Sequence, residues 1–167
     1  QHLMNKVVIE MTEQTEMNNE HLTAIKTRLK EHNISLAIDD YGTGFSNISN
    51  LIRYNPDYVK IDRSLVDNIH EKPRIQKLVA GIIEFIHENG YHALAEGVET
   101  HEELETMITL GSDFIQGYYL ARPAATILPG LSEKLRNEIV ELSRKRNENE
   151  TRVYCPKEGE TVDLTSL

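Results

Sequence analysis

Acidic residues recur along this 167-residue chain at places where short apolar runs end: Glu10, Asp39-Asp40, Asp62 and Glu96. Each lies within or at the C-terminal end of a predicted strand, and Gln116 lies in the last such run. In parallel α/β architectures that rim is where sites are built. Carboxylates converging there repel one another, so the group needs a cation or a shared proton. Hard oxygen ligands suit Mg2+ or Mn2+. One strand-end aspartate is commonly a helix cap; a succession of them fits a metal site better. Asp39 and Asp40 are adjacent, and adjacent strand residues face opposite ways. Both reach one site only where the backbone turns, and Gly42 and Gly44 in Tyr41-Gly42-Thr43-Gly44 are expected to allow that turn. The Gly-Thr-Gly run has no P-loop lysine and no dinucleotide fingerprint.

Lys60 and Asp62 share one face of a predicted strand, and Val59 and Ile61 share the other. A lysine facing inward needs acids to pair with, and it either forms a salt bridge or holds a water beside the metals. Glu96 is placed to bind metal or to take a proton from an attacking water, with Glu99 supporting it from behind. Gln116 is a neutral group suited to substrate. A lysine among rim acids also suits a metal-dependent enzyme that abstracts a proton. The seven histidines are scattered and are read as solvated.

The elements that must position these residues alternate. Predicted strands are Val7–Met11, Leu36–Asp40, Tyr58–Asp62, Ala93–Gly97 and Phe114–Leu120. Between them, Leu22, Ile25 and Leu29 mark a helix stopped by Asn33, and Ile48, Leu51 and Ile52 a short one. Ile75 to Ile86 mark a long helix stopped by Asn89-Gly90. A capping box, Thr100 with Glu103, opens a helix running to Gly111. This β-α order implies a doubly wound sheet or a (β/α) barrel. Residues 1–125 form the α/β part. Residues 126–167 form an amphipathic helix (Leu131, Leu135, Ile139, Leu142) expected to end in Arg144-Lys145-Arg146-Asn147, followed by a tail that is a short strand or loose.

Composition narrows the class. A hydrophobic fraction of 39% with 27% charged residues reads as globular, and a net charge of −9 without a basic cluster argues against a nucleic-acid polymer as partner. A small anionic ligand stays compatible with that charge when metal ions supply the positive sign. Cys155 is the only cysteine, so a reducing cytoplasmic setting is expected. No apolar run approaches the ~18 residues of a membrane span.

Five segments together, Glu10-Met11-Thr12-Glu13, Asp39-Asp40-Tyr41-Gly42-Thr43-Gly44, Lys60-Ile61-Asp62-Arg63, Ala95-Glu96-Gly97-Val98-Glu99-Thr100 and Gln116-Gly117-Tyr118, resemble the EAL-type cyclic-di-GMP phosphodiesterases of bacteria. The resemblance implies a TIM-like (β/α)8 barrel and hydrolysis of cyclic-di-GMP to pGpG with two Mg2+ or Mn2+ ions. By that resemblance Glu10 and Asp39 hold the first metal, Asp39 bridges to the second, and Asp40 and Glu96 also hold the second. Lys60 orients the catalytic water, and Glu96 is also a candidate base. Glu13 anchors the loop after Asp40, a loop tied to dimerisation; Glu99 is a further active-site residue, and Asp62 and Gln116 face the substrate. The Glu-Ala-Leu motif itself and the asparagine strand after it are absent. The expectation is therefore an incomplete barrel lacking its N-terminal strands and entered at about the fourth. It is nearly inert alone, active when extended upstream, and self-associating as a homodimer or larger assembly. An upstream sensor, cyclase or membrane-tethering region fits this picture. The competing reading is an inactive cyclic-di-GMP-binding or protein-interaction module.

Overall fold

Alternation of apolar strand runs with amphipathic helices produces one parallel sheet covered by helices on its outer face. The computed structural model describes residues 7–12, 17–42, 48–126 and 130–153, with side chains as far as Glu148. Glu13 and the Thr43–Asn47 segment lie outside the described residues, as does the tail from 154. Two compact units emerge, residues 1–129 and 130–167.

In the first unit the elements are β1 (Val8–Thr12), α1 (Asn19–His32), β2 (Ser35–Tyr41), α2 (Ile48–Tyr54), β3 (Tyr58–Ile61), α3 (Arg63–Val66), α4 (Pro73–Glu88), β4 (His92–Ala95), α5 (His101–Leu110) and β5 (Phe114–Ile115). The five strands lie in sequence order and every neighbouring pair is parallel. This is the strand arrangement of a partial (β/α) barrel, since closing the eight-stranded form takes three more strands. Among the described residues the edge strands of the sheet are β1 and β5. β1 leaves Val8 and Ile9 exposed.

The core sits between sheet and helices. Ile38, Val59, Ile61, Ala93 and Ala95 are buried in the strands, and Val79, Ile83 and Ile86 of α4 with Leu104 and Met107 of α5 are buried opposite. α4 packs on β4 and on α5. Helix ends follow the local chemistry. Asn33 takes a left-handed conformation (φ 52°) and its N–H returns to the carbonyls of Leu29 and Lys30. Thr100 and Glu103 form the full capping box, and Gly111 ends α5. At the opposite edge from the acidic rim, Asp57 accepts from the Leu36 N–H and Asp113 from the Ala93 N–H, at 2.8 and 2.7 Å. These two acids close backbone valences and serve the sheet.

Four expectations are corrected. β3 stops at Ile61, because Asp62 leaves the strand to cap α3. β4 stops at Ala95, one residue before Glu96. β5 is only Phe114–Ile115, because Gly117 presses on the Val98 backbone: a Cβ there would lie 2.1 Å from the Val98 carbonyl oxygen. In the second unit, α6 (Glu133–Val153) runs past Arg144–Asn147. Arg144 there pairs with Glu141 one turn back, at 2.7 Å, and with Glu148 one turn on, so the charged stretch supports the helix. α3 and the 3-10 turn Ile69–Glu71 were not anticipated; each spans only about one turn, too short for an apolar pattern to repeat.

Leu104 is fully buried. Leu104→Ala should lower unfolding free energy by about 2–5 kcal/mol, read as a shifted urea midpoint with an unchanged slope.

Candidate metal site at the strand ends

The C-terminal ends of β1, β2, β3 and β4 carry Glu10, Asp39, Lys60 and Glu96 toward one another. Lys60 is 5% exposed, too buried for an unpaired ammonium. Its Nζ lies 2.9 Å from Glu10 Oε1, 2.8 Å from Asp39 Oδ1 and 2.8 Å from Glu96 Oε1. The salt bridge expected for an inward lysine is thus a three-way one, spanning β1, β2, β3 and the residue after β4.

Asp39 and Asp40 reach this rim together by an unexpected route. β2 does not end between them; it continues to Tyr41. Ile38 pairs with Val59 and Tyr41 with Ile61, so β2 spends one more residue than β3 over the same stretch. That is a β-bulge. Asp40 occupies its left-handed position with φ 57°, a conformation that costs most residues but that Asp tolerates. The bulge, rather than the glycines that follow, cancels the alternation of faces.

The electrostatics follow from counting. Three carboxylates share one ammonium, and Asp40 adds a fourth acid beside them. Burial opposes the charge on Lys60, but its close contacts with the Asp39, Glu96 and Glu10 carboxylates outweigh that and hold it protonated beyond the ordinary lysine range. Burial raises the Glu96 pKa; Lys60 pulls it down, Asp39 pushes it back up, and the outcome is a raised value. One lysine divided among three acids does not neutralise them. Asp40 is also raised, first by desolvation and then by repulsion from Asp39, Asp62 and Glu10.

Oxygens of Asp39, Asp40 and Glu96 lie within 4.8 Å of one another. Asp39 Oδ1 is buried and has no aligned hydrogen bond, though the Lys60 ammonium is 2.8 Å away. A hard, acid-rich donor set with an underused buried lone pair fits a divalent cation.

The other anticipated residues lie at varying removes from this cluster. Asp62 Oδ1 accepts from the Ser64 N–H at 2.8 Å as the cap of α3, and its charge still reaches Asp40. Glu99 pairs with Arg63 at 2.5 Å. Gln116 is exposed after β5; its N–H donates to the Ala95 carbonyl and its own carbonyl accepts from Val98 N–H. Sequence reasoning missed Arg63 as the partner of Glu99; its place inside the Lys60–Arg63 segment was the available signal. Among the histidines, His87 departs from the solvated reading: its Nε2 lies 2.9 Å from Asp113 Oδ2.

Lys60→Met should test the charge balance. A carboxyl whose folded pKa is raised costs stability once it ionises, so that cost grows as pH rises through and above the ordinary carboxylate range. Removing the ammonium raises Glu96 and Asp40 further. The variant should therefore lose little below that range and most at neutral pH. The loss there should sit near the low end of about 3–5 kcal/mol, because Glu10 is half exposed. Melting temperatures of both proteins across pH check this; a loss independent of pH would refute it.

Comparison with known proteins bears on this rim. The EAL domain model matches residues 1–123. PdeL of Escherichia coli, a cyclic di-GMP phosphodiesterase, is 36% identical over 119 residues, which are 71% of this chain and 33% of PdeL. The signaling protein YkoW of Bacillus subtilis is 34% identical over 69% of this chain and 14% of YkoW. The chain thus spans a third or less of these two relatives. Among solved structures, the cyclic-di-GMP-bound EAL protein of Vibrio cholerae superposes with a TM-score of 0.71 at 28% identity, over 80% of this chain and 56% of that one. Klebsiella pneumoniae BlrP1, solved with manganese and cyclic-di-GMP, gives 0.65 at 35% identity over 72% and 31%. YkuI of Bacillus subtilis, solved with cyclic-di-GMP and calcium, gives 0.74 at 25% over 90% and 38%. With a matched model over most of its length and the same fold in solved relatives, the chain belongs to the EAL domain family.

Proposed function

We propose that this rim is the metal-dependent site of a cyclic-di-GMP phosphodiesterase, yielding linear pGpG in bacterial second-messenger signalling. The observation that carries the reading is the cluster of Asp39, Asp40 and Glu96 beside the buried Lys60, in a member of a family whose relatives include named cyclic di-GMP phosphodiesterases. Asp39, Asp40 and Glu96 would hold Mg2+ or Mn2+, with Glu10 completing the set across Lys60. When bound, a pair of such ions lowers the pKa of water and offsets charge on the phosphoryl oxygens.

The chain's own residues do the rest. Glu96 takes a proton from the attacking water. The water oxygen bonds to phosphorus, one phosphate–ribose P–O bond breaks, and the ribose oxygen leaves with a proton. Lys60, held by three acids, orients that water. Asp62, Glu99 and Gln116 border the substrate. The substrate and its setting are cytoplasmic on this reading, and no described helix is long and apolar enough to cross a membrane.

The test is Mn2+-dependent release of pGpG from cyclic-di-GMP by the full-length protein containing this chain. Glu96→Ala should reduce the rate by about 10^2–10^4-fold. Binding without turnover would favour the inactive-receptor reading; absence of both would sink the two together. The exposed apolar side chains of Val8 and Ile9 on β1 and of Ile48 and Ile52 on α2 favour self-association. Sedimentation at increasing concentration should show a dimer or larger species, and a persistent monomer would rule that out.

A further inference from the structure

Glu103 is 3% exposed, yet it takes part in no ion pair among the described residues. Its carboxylate is satisfied by backbone instead. Oε1 accepts from the Asn68 N–H at 2.9 Å, and Oε2 accepts from the N–H groups of Glu99 at 2.8 Å and Thr100 at 3.2 Å. An ordinary capping box needs only the bond to Thr100. The other two bonds tie the loop after α3, thirty-five residues before Glu103 in sequence, to the segment after β4.

The segment so tied carries Glu96. Glu96 N–H donates to the Ile61 carbonyl at 3.1 Å, and Gly97 follows at φ 70°. The Arg63 stem lies across Gly97 closely enough that a Cβ there would come within 2.7 Å of Arg63 Cγ. The Arg63 guanidinium then reaches Glu99, whose N–H is held by Glu103. From Asn68 through Glu103 and Glu99 to Arg63, a closed loop of contacts surrounds the turn that aims Glu96.

We propose that Glu103 is a positioning residue for the rim: by clamping two loops with one buried carboxylate, it fixes the turn on which Glu96 stands. The inference rests on the reading of Glu96 as a metal-site residue. A metal ligand is only as well placed as the groups behind it, and losing such support typically costs about 10–100-fold in metal affinity.

Two variants, made in the full-length protein containing this chain, separate positioning from simple helix capping. Glu103→Gln keeps size and shape, but its amide NH2 meets a backbone N–H on one side whichever way it turns. Thr100→Ala removes the hydroxyl that accepts from the Glu103 N–H at 3.2 Å and leaves the three carboxylate bonds in place. Both should lower the melting temperature. Mn2+ titration should show about a tenfold weaker dissociation constant for Glu103→Gln and less than a twofold change for Thr100→Ala. Hydrogen exchange supplies a metal-free readout: the amides of Asn68 and Glu96 should exchange faster in Glu103→Gln and at the parent rate in Thr100→Ala. Equal effects of the two variants on Mn2+ binding and on those amides would overturn the proposal. If the parent binds no Mn2+, the metal reading fails, and the exchange at Glu96 alone decides whether Glu103 positions it.

Discussion

A single buried ammonium holds the strand ends of this protein together. Lys60 stands on β3 and draws in one acid from β1, one from β2 and one from just beyond β4. Remove its charge and the three carboxylates have no reason to converge; add a divalent cation and they gain a better one. On the proposed reading, the site is preassembled by an interaction weaker than the one a divalent cation would make. Its residual negative charge, seen in the raised pKa values of Glu96 and Asp40, is the counterpart of that readiness.

The same constraint organises the layers behind it. Convergence requires the strands to be parallel and in register, and the helices to cover the outer face. The acids at the two ends of the sheet divide the labour accordingly. Asp57 and Asp113 at one end are bound to backbone N–H groups and stay in place as structure. Asp39 and Glu96 at the other face the shared Lys60 ammonium instead. Chemically identical side chains acquire different tasks from which end of a strand they occupy.

Much of this is legible in the sequence. Strong periodicity marked α4 over Pro73–Glu88, and the Thr100–Glu103 pair marked the start of α5, because both signals are local. The convergence of Glu10, Asp39 and Glu96 followed from their places at strand ends. What escaped was decided by contacts distant in sequence. β5 is cut short by the Val98 backbone against Gly117, and nothing near Gly117 in sequence announces Val98. Asp62 reads as a rim acid by position but spends an oxygen on the Ser64 N–H. The Arg63–Glu99 pair joins two motifs that were read separately. Glu103 was recognised as half of a capping box, and its reach to Asn68 was invisible because loop proximity is a property of the fold.

The extra residue in β2 has an evolutionary edge to it. Deleting either aspartate of the pair would let β2 run in even register with β3 and would relieve Asp40 of its left-handed backbone. Regular pairing and an unstrained backbone both favour the fold. Selection for folding alone would thus tend to erase the bulge, and with it the second aspartate. A lineage with no use for a second carboxylate at this rim should lose the residue early.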